Sequence, residues 1–337
     1  MTRLVHIGLA KAASTYLQTV WHLSPKHGLH DVRPFLAEAC EQVRRGRPLP
    51  AMTANPVGPG DVGGAAVISS EGLSQAYLNE TAHQRALPRY RKEIARSVAR
   101  AGFASQALLV VREPRSWLRS LHEQSLKQGE YRDFRSFLDH QRSYIAGVTD
   151  LAALAADWCN AGMSLVVLPV EWLREDEGRF WATLEERTGL PTPPRAILER
   201  VRKNRHWLNR TVADRRSFLQ QANRFLAEMR ATYGNLKGLP PEFLRERSML
   251  SSQFGGSAHW VTRRIAEYGK DTDIERLSAL LAAINADSDP EMPDAELLRH
   301  LHQNYLGFLD TRDDFPADLL SRYRESLDAW EATADDA

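Results

Sequence analysis

Four short apolar runs constrain the fold of this 337-residue chain more than any other feature. They cover 5–9, 65–69, 107–111 and 164–168. Each is about the length of one buried strand, and each breaks at its carboxyl end into polar or charged residues. Helical stretches separate them, and strands alternating with helices build a parallel sheet covered on both faces. The fold class read from this pattern is α/β: a mostly parallel, doubly wound sheet flanked by helices, followed by a helical C-terminal elaboration. In such sheets ligands bind outside the carboxyl ends of the strands. The residues just past the four ends are Lys11, Ser70 with Glu71, Arg112 and Glu171, which are therefore expected to converge.

Helical spacing predicts helices over 14–22, 34–45, 81–100, from Pro114 onward, and over 180–188 and 194–202. Beyond these the chain reads as helical over 213–233, 258–268, 274–286, 295–308 and 317–332. The division expected is an α/β core over 1–190, with 191–337 as a helical part of the same domain supplying lid and acceptor-side elements. Residues 46–64 are rich in glycine and proline. They precede a strand instead of following one, so they are read as an irregular connection and not as a nucleotide loop.

The first run passes through Gly8-Leu9-Ala10-Lys11-Ala12-Ala13 into an amphipathic helix that starts at Ser14 or Thr15. A helix start offers unpaired backbone N–H groups and the positive end of a macrodipole. A lysine beside it is unfavourable unless an anion sits there too, so the loop reads as a cradle for phosphate or sulfate. The alternative is an ordinary strand-to-helix turn with a solvated lysine. It is not a Walker loop, which needs glycine before the lysine and serine or threonine after it; here Ala10 and Ala12 flank Lys11.

The third run ends in Arg112-Glu113-Pro114, and Ser120 follows Arg112 by eight positions. Proline suits the first turn of a helix. An arginine with a nearby hydroxyl suits a dianionic phosphate, though a surface ion pair and a packed helix serine would also account for the two residues.

Together the two motifs resemble those of the bacterial sulfotransferases that use 3′-phosphoadenosine 5′-phosphosulfate (PAPS). Gly8, Lys11, Ser14, Thr15, Leu17 and Gln18 fall on that family's 5′-phosphosulfate loop, from which Ala10, Ala12 and Ala13 depart. Arg112, Pro114 and Ser120 fall on its 3′-phosphate site. Ile68 to Leu73, Asp157-Trp158, the run to Glu171 and Asn209-Arg210-Thr211 are similar at lower specificity, so the resemblance covers about residues 4 to 225.

The resemblance implies transfer of a sulfuryl group from PAPS to a hydroxyl or amine, releasing adenosine 3′,5′-bisphosphate (PAP) and requiring no metal. Lys11 would neutralise charge on the departing oxygen. Backbone N–H groups of Ala12, Ala13, Ser14 and Thr15, with the Ser14 and Thr15 hydroxyls, would hold the 5′-phosphate, and Arg112 with Ser120 the 3′-phosphate. A base must take the acceptor's proton. Glu71 is the first choice, because a partly desolvated carboxylate at a strand end is raised toward neutrality; a helix-capping role is the competing reading. His22, His27 and His30 are lesser candidates, and His6 reads as a packed strand histidine.

A basic segment at 200–216 reads either as a cover for an anionic ligand or as a solvated helix face, and 251–260 as a second lid. The acidic groups Glu175-Asp176-Glu177 and Asp313-Asp314 read as loop charge. A net charge of +1 offers no global attraction for nucleic acid, and no run approaches the ~20 apolar residues of a spanning helix. Two cysteines, Cys40 and Cys159, make no disulfide framework, and no leader is evident, which points to the cytoplasm. The partner expected is a small-molecule or glycan acceptor. A small-molecule kinase and a non-catalytic nucleotide-binding protein are the other function classes left open.

Overall fold

The computed structural model describes residues 2–49, 52, 55–57, 64–75, 86–127, 132–208 and 294–335. The sheet has the order β3-β2-β4-β1-β5-β6, formed by β1 (Arg3–His6), β2 (His27–Asp31), β3 (Asn55–Val57), β4 (Ala65–Ser69), β5 (Gln106–Val111) and β6 (Ser164–Pro169). Five strands run parallel, and β3 closes the edge antiparallel to β2, with Leu29 opposite Val57.

The four strands expected from the apolar runs are present. β2 and β3 are additional. The β2 sequence His-Gly-Leu-His-Asp carries no apolar run, because it lies next to the edge and only His27 is fully buried. The central β5 is the opposite case, with five consecutive buried residues from Ala107 to Val111. A strand covered on both faces has no polar side to alternate with.

The helices are α1 (Ser14–Leu23), α2 (Arg33–Arg44), α3 (Leu87–Arg100), α4 (Pro114–Lys127), α5 (Phe134–Thr149), α6 (Leu151–Asn160), α7 (Trp172–Glu175), α8 (Glu177–Thr188) and α9 (Arg195–Leu208). Near the C-terminus, α10 (Ala295–His300) continues through a π-helical turn (Leu301–Leu306) into α11 (Gly307–Asp310), and α12 (Ala317–Asp335) follows. Local chemistry sets several of these boundaries. Asp150 caps α6 by accepting from Ala153 N–H at 3.0 Å, and Asp176 caps α8 by accepting from Arg179 N–H at 3.0 Å. Gly189 ends α8 at φ 69°, the left-handed conformation that glycine adopts without steric cost. The helices expected over 213–233, 258–268 and 274–286, the segment 251–260 and residues 209–216 of the basic segment lie outside the described residues.

The chain divides into two compact units. One comprises 1–117, 141–205 and 294–332 and carries the whole sheet together with the C-terminal helices; the other comprises 118–140, 206–293 and 333–337. In the second unit His122 packs against Phe134 and Phe137, with ring centroids 5.4 and 4.9 Å away. No helix among the described residues is long and apolar enough to cross a membrane.

The strand order creates a switch point. The chain leaves β1 toward β2 on one side and leaves β5 toward β6 on the other, although β1 and β5 are neighbours. The helices after these two strands therefore diverge and open a crevice above their carboxyl ends. Lys11 and Arg112 follow those two ends.

Two buried histidines make the fold sensitive to acid. Burial holds His6 near pKa 3 and His27 near 4, against an ordinary 6.5. The native state keeps both rings neutral while the unfolded chain takes up protons. Stability is thus full above pH 6.5 and is lost as pH falls from 6.5 toward 4, at about 1.4 kcal/mol per pH unit for each ring. Urea unfolding of His27→Gln between pH 7 and 4.5 is expected to show a shallower slope by one ring's share; a slope equal to that of the wild type would exclude a neutral, buried His27.

Candidate functional site

The Lys11 loop departs from ordinary backbone geometry. Lys11 and Ala13 both lie in the left-handed region, at φ 63° and 66°, and they are the only non-glycine residues with positive φ among the described residues. For residues with a Cβ this costs roughly 1–2 kcal/mol each. Such strain persists where the surroundings over-determine it, and it clusters at ligand sites. Here the buried Ala12 between them donates its N–H to Leu9 C=O at 3.2 Å, and Ala13 C=O receives the Leu17 N–H at 3.0 Å. Alternating conformations of this kind turn successive N–H groups toward one concave side. The Ala12 N–H is the exception among those assigned to an anion, because it closes the turn on Leu9 instead of facing out.

Gly8 is required by packing. A Cβ there would lie 2.5 Å from Ser14 Oγ and 2.8 Å from His6 Cε1. Ser14 is buried beneath the loop, with its hydroxyl 3.4 Å from Leu9 C=O, whereas Thr15 is exposed. Gln18 at the end of the motif ties α1 to β4, donating to Ser69 C=O at 3.2 Å and lying 3.3 Å from Ser69 Oγ. His6 Nδ1 meets the same Ser69 hydroxyl at 2.7 Å, so it is a packed strand histidine as its sequence position indicates.

Arg112 reaches this loop directly. Its Nη1 donates to the carbonyl of Lys11 at 3.1 Å, while Nε and Nη2 donate to Ser116 Oγ at 3.0 and 2.7 Å. A second side chain joins the two motifs: the Trp117 indole Nε1–H donates to Ala10 C=O at 2.6 Å. The Arg112 guanidinium and the Lys11 backbone, from separate strand ends, are thereby fixed at one place. Ser116, four residues after Arg112, is a hydroxyl that meets the guanidinium in the first unit; Ser120, expected as the hydroxyl partner of Arg112, belongs to the second.

The C-terminal helices hold Arg112 from behind. The Tyr305 phenol, on the π-helical turn, donates to Arg112 C=O at 2.6 Å and accepts from Arg112 N–H at 3.1 Å, capping the end of β5. Burial pushes this phenol far above the ordinary tyrosine range, which keeps it a donor. Glu171 accepts from Glu113 N–H at 3.0 Å and from the Tyr323 hydroxyl, and Glu113 in turn caps α4 through Arg115 N–H and Ser116 N–H at 2.8 and 2.6 Å. Glu171 is therefore part of the scaffold beneath Arg112.

Glu71 meets the loop from the other side. It opens a 3₁₀ turn, Glu71–Leu73, capped by Ser70 Oγ accepting from Gly72 N–H at 3.1 Å. Burial raises the pKa of its half-buried carboxyl above the ordinary glutamate value, with Lys11 and Ser14 working against the rise. Of the residues expected past the strand ends, Arg112 is hydrogen-bonded to Lys11, and Glu171 meets Glu113, the neighbour of Arg112. The lesser base candidates stand apart. His27 pairs with Ala65 at the amino ends of the strands, His22 ends α1 on the surface, and the His30 ring packs against Phe103.

Sequence reasoning missed Ser74, Ser116, Tyr305 and Tyr323. Ser74 Oγ donates to Gly8 C=O at 2.7 Å; Ser116 stands inside the stretch 112–120 but off its expected hydroxyl position, and the other three lie in no motif that their neighbours announce. Of the acidic groups, Glu175 pairs with Arg322, Glu177 with Arg202 and Tyr16, and Asp314 with Arg187 and Arg312.

The chain matches no model of a known protein family, and no curated protein is detectably similar to it in sequence.

Two sets of variants check the loop. Relief of roughly 1–2 kcal/mol of left-handed strain outweighs the 0.5–1 kcal/mol or so of extra unfolded-state entropy of glycine. Ala13→Gly is therefore expected to raise the melting temperature, while Gly8→Ala lowers it by displacing Ser14. Tyr305→Phe leaves two backbone groups of Arg112 without their partner, at a cost of about 1–3 kcal/mol in denaturant unfolding. An unchanged Tyr305→Phe protein would show that the phenol does not hold the strand end.

Proposed function

We propose that the protein is a sulfotransferase, transferring a sulfuryl group from PAPS to a hydroxyl or amine of an acceptor. The observation that carries the reading is the hydrogen bond from Arg112 to the Lys11 carbonyl at the sheet's switch point. It brings together the two motifs on which the sequence resemblance rests, although 100 residues separate them. The residues suit a nucleotide that carries phosphates at both ends. Lys11, the Ser14 and Thr15 hydroxyls and the N–H groups of Ala13, Ser14 and Thr15 would hold the 5′-phosphosulfate side, and Arg112 with Ser120 the 3′-phosphate.

PAPS supplies the activated sulfuryl group. The chain's part is positioning and charge. Lys11 places an ammonium beside the loop, where negative charge grows on the oxygen that leaves. Fixed donors of this kind stabilise developing charge without reorganising at the moment of reaction. Arg112 is held by the Lys11 carbonyl and by Ser116, so its guanidinium is oriented before any ligand arrives, which lowers the entropic cost of binding. Glu71, raised in pKa by burial, would take the acceptor's proton.

Calorimetric titration with PAP, 5′-AMP and magnesium-ATP tests the reading. Strong preference for PAP is expected, and Arg112→Ala should lose it by about 1.5–3 kcal/mol, the worth of a charge-assisted hydrogen bond. Tightest binding of magnesium-ATP would overturn the reading in favour of a kinase. Binding of PAP without turnover on any acceptor, unchanged in Lys11→Ala, would favour a non-catalytic nucleotide-binding protein.

A further inference from the structure

We infer that His302, Asp328 and Glu331 form a binding site for zinc or a chemically similar divalent ion, which fastens α12 to the π-helical turn. The site uses none of the residues assigned to the nucleotide, so it stands or falls independently of that reading. His302 belongs to the turn Leu301–Leu306, and Asp328 and Glu331 lie three residues apart on α12, where they share one face. His302 Nε2 lies 3.7 Å from Asp328 Oδ1 and 4.0 Å from Glu331 Oε2, and the three atoms all fall within 4.8 Å of one another.

Two observations set this group apart from ordinary surface charge. The first is the histidine. Its ring is 30% exposed, yet Nε2 itself is shielded from solvent and has no hydrogen-bond partner among the described residues. A shielded nitrogen left in that state is costly, and 3.7 Å is too long for a hydrogen bond that would satisfy it. A cation on the lone pair removes the cost. The second is the spacing. Zinc binds imidazole nitrogen and carboxylate oxygen at about 2.0–2.2 Å, which sets tetrahedral ligand atoms ~3.3 Å apart. Both carboxylates are exposed, so side-chain rotation closes the remaining gap. Among the described residues neither carboxylate has another ion pair or hydrogen bond to give up. One imidazole with two carboxylates suits zinc and its neighbours in the first transition row, whereas magnesium and calcium take oxygen ligands.

The ion would join two supports of the same strand ends. The π-helical turn carries Tyr305, which bonds both backbone groups of Arg112. The helix α12 carries Tyr323, which donates to Glu171, and Trp330, whose ring lies 5.3 Å from the Arg115 guanidinium carbon. Such π-helical turns are rare and recur at functional sites. Here the buried Tyr305 serves the strand end, and the half-buried His302 three residues earlier serves the metal. The role is structural: binding free energy becomes folding free energy.

The test is calorimetric titration of the metal-stripped full chain with zinc chloride, repeated on His302→Gln and Asp328→Asn, with magnesium and calcium chloride for comparison. Wild type is expected to take up one zinc ion more than His302→Gln. Asp328→Asn should bind that ion more weakly by at least about tenfold, the cost of losing even an outer-shell partner. Counting by difference sets aside zinc held by the free thiols of Cys40 and Cys159. Zinc should also raise the melting temperature of wild type more than that of either variant, since a ligand bound by the folded state alone stabilises it. Should one variant fold poorly, the other decides. Equal stoichiometry and affinity in wild type and variants would overturn the inference and leave a plain histidine–carboxylate ion pair. Tighter binding of magnesium or calcium than of zinc would overturn it as well.

Discussion

The hydrogen bond from the Arg112 guanidinium to the carbonyl of Lys11 joins the ends of β1 and β5. It fixes the arginine against the turn that leads into α1. Much of the surrounding structure serves that join. Ser116 and the Lys11 carbonyl hold the arginine, Tyr305 closes the strand end behind it, and the Trp117 indole meets Ala10 C=O beside it.

The scaffold keeps its own charges apart from this place. Glu171 is occupied by Glu113 N–H and by the Tyr323 hydroxyl, and Glu113 by the first N–H groups of α4. Glu113 is the neighbour of Arg112 in the chain, whereas Glu171 reaches Glu113 from 58 positions further on. Glu71, at the end of β4, is raised in pKa by burial while Lys11 works against the rise.

Strain marks the same place. Lys11 and Ala13 hold left-handed conformations that glycine would adopt more cheaply, and one of the departures from the loop pattern that the sequence resembles, Ala13, falls on such a position. Ala12 is buried against Leu9 and Ala13 begins α1. The loop keeps its shape through Gly8, Ser14 and Ser74 instead of through glycines at its tip.

The sequence by itself determined β1, β4, β5 and β6, the helices that follow them and the approach of Arg112 to Lys11, because apolar runs and strand-end charges are local signals that burial imposes. β2 and β3 escaped it, since strands at or beside an edge need no apolar run. Only the tertiary structure decided that Ser116 meets the Arg112 guanidinium, that Ser74 ties the turn after β4 to Gly8, and that Tyr305 and Tyr323 return from the far end of the chain to hold the strand ends. Those contacts join residues up to 193 positions apart. They depend on which helix packs where, and a single phenol or hydroxyl in an amphipathic helix carries no mark of the partner it will find.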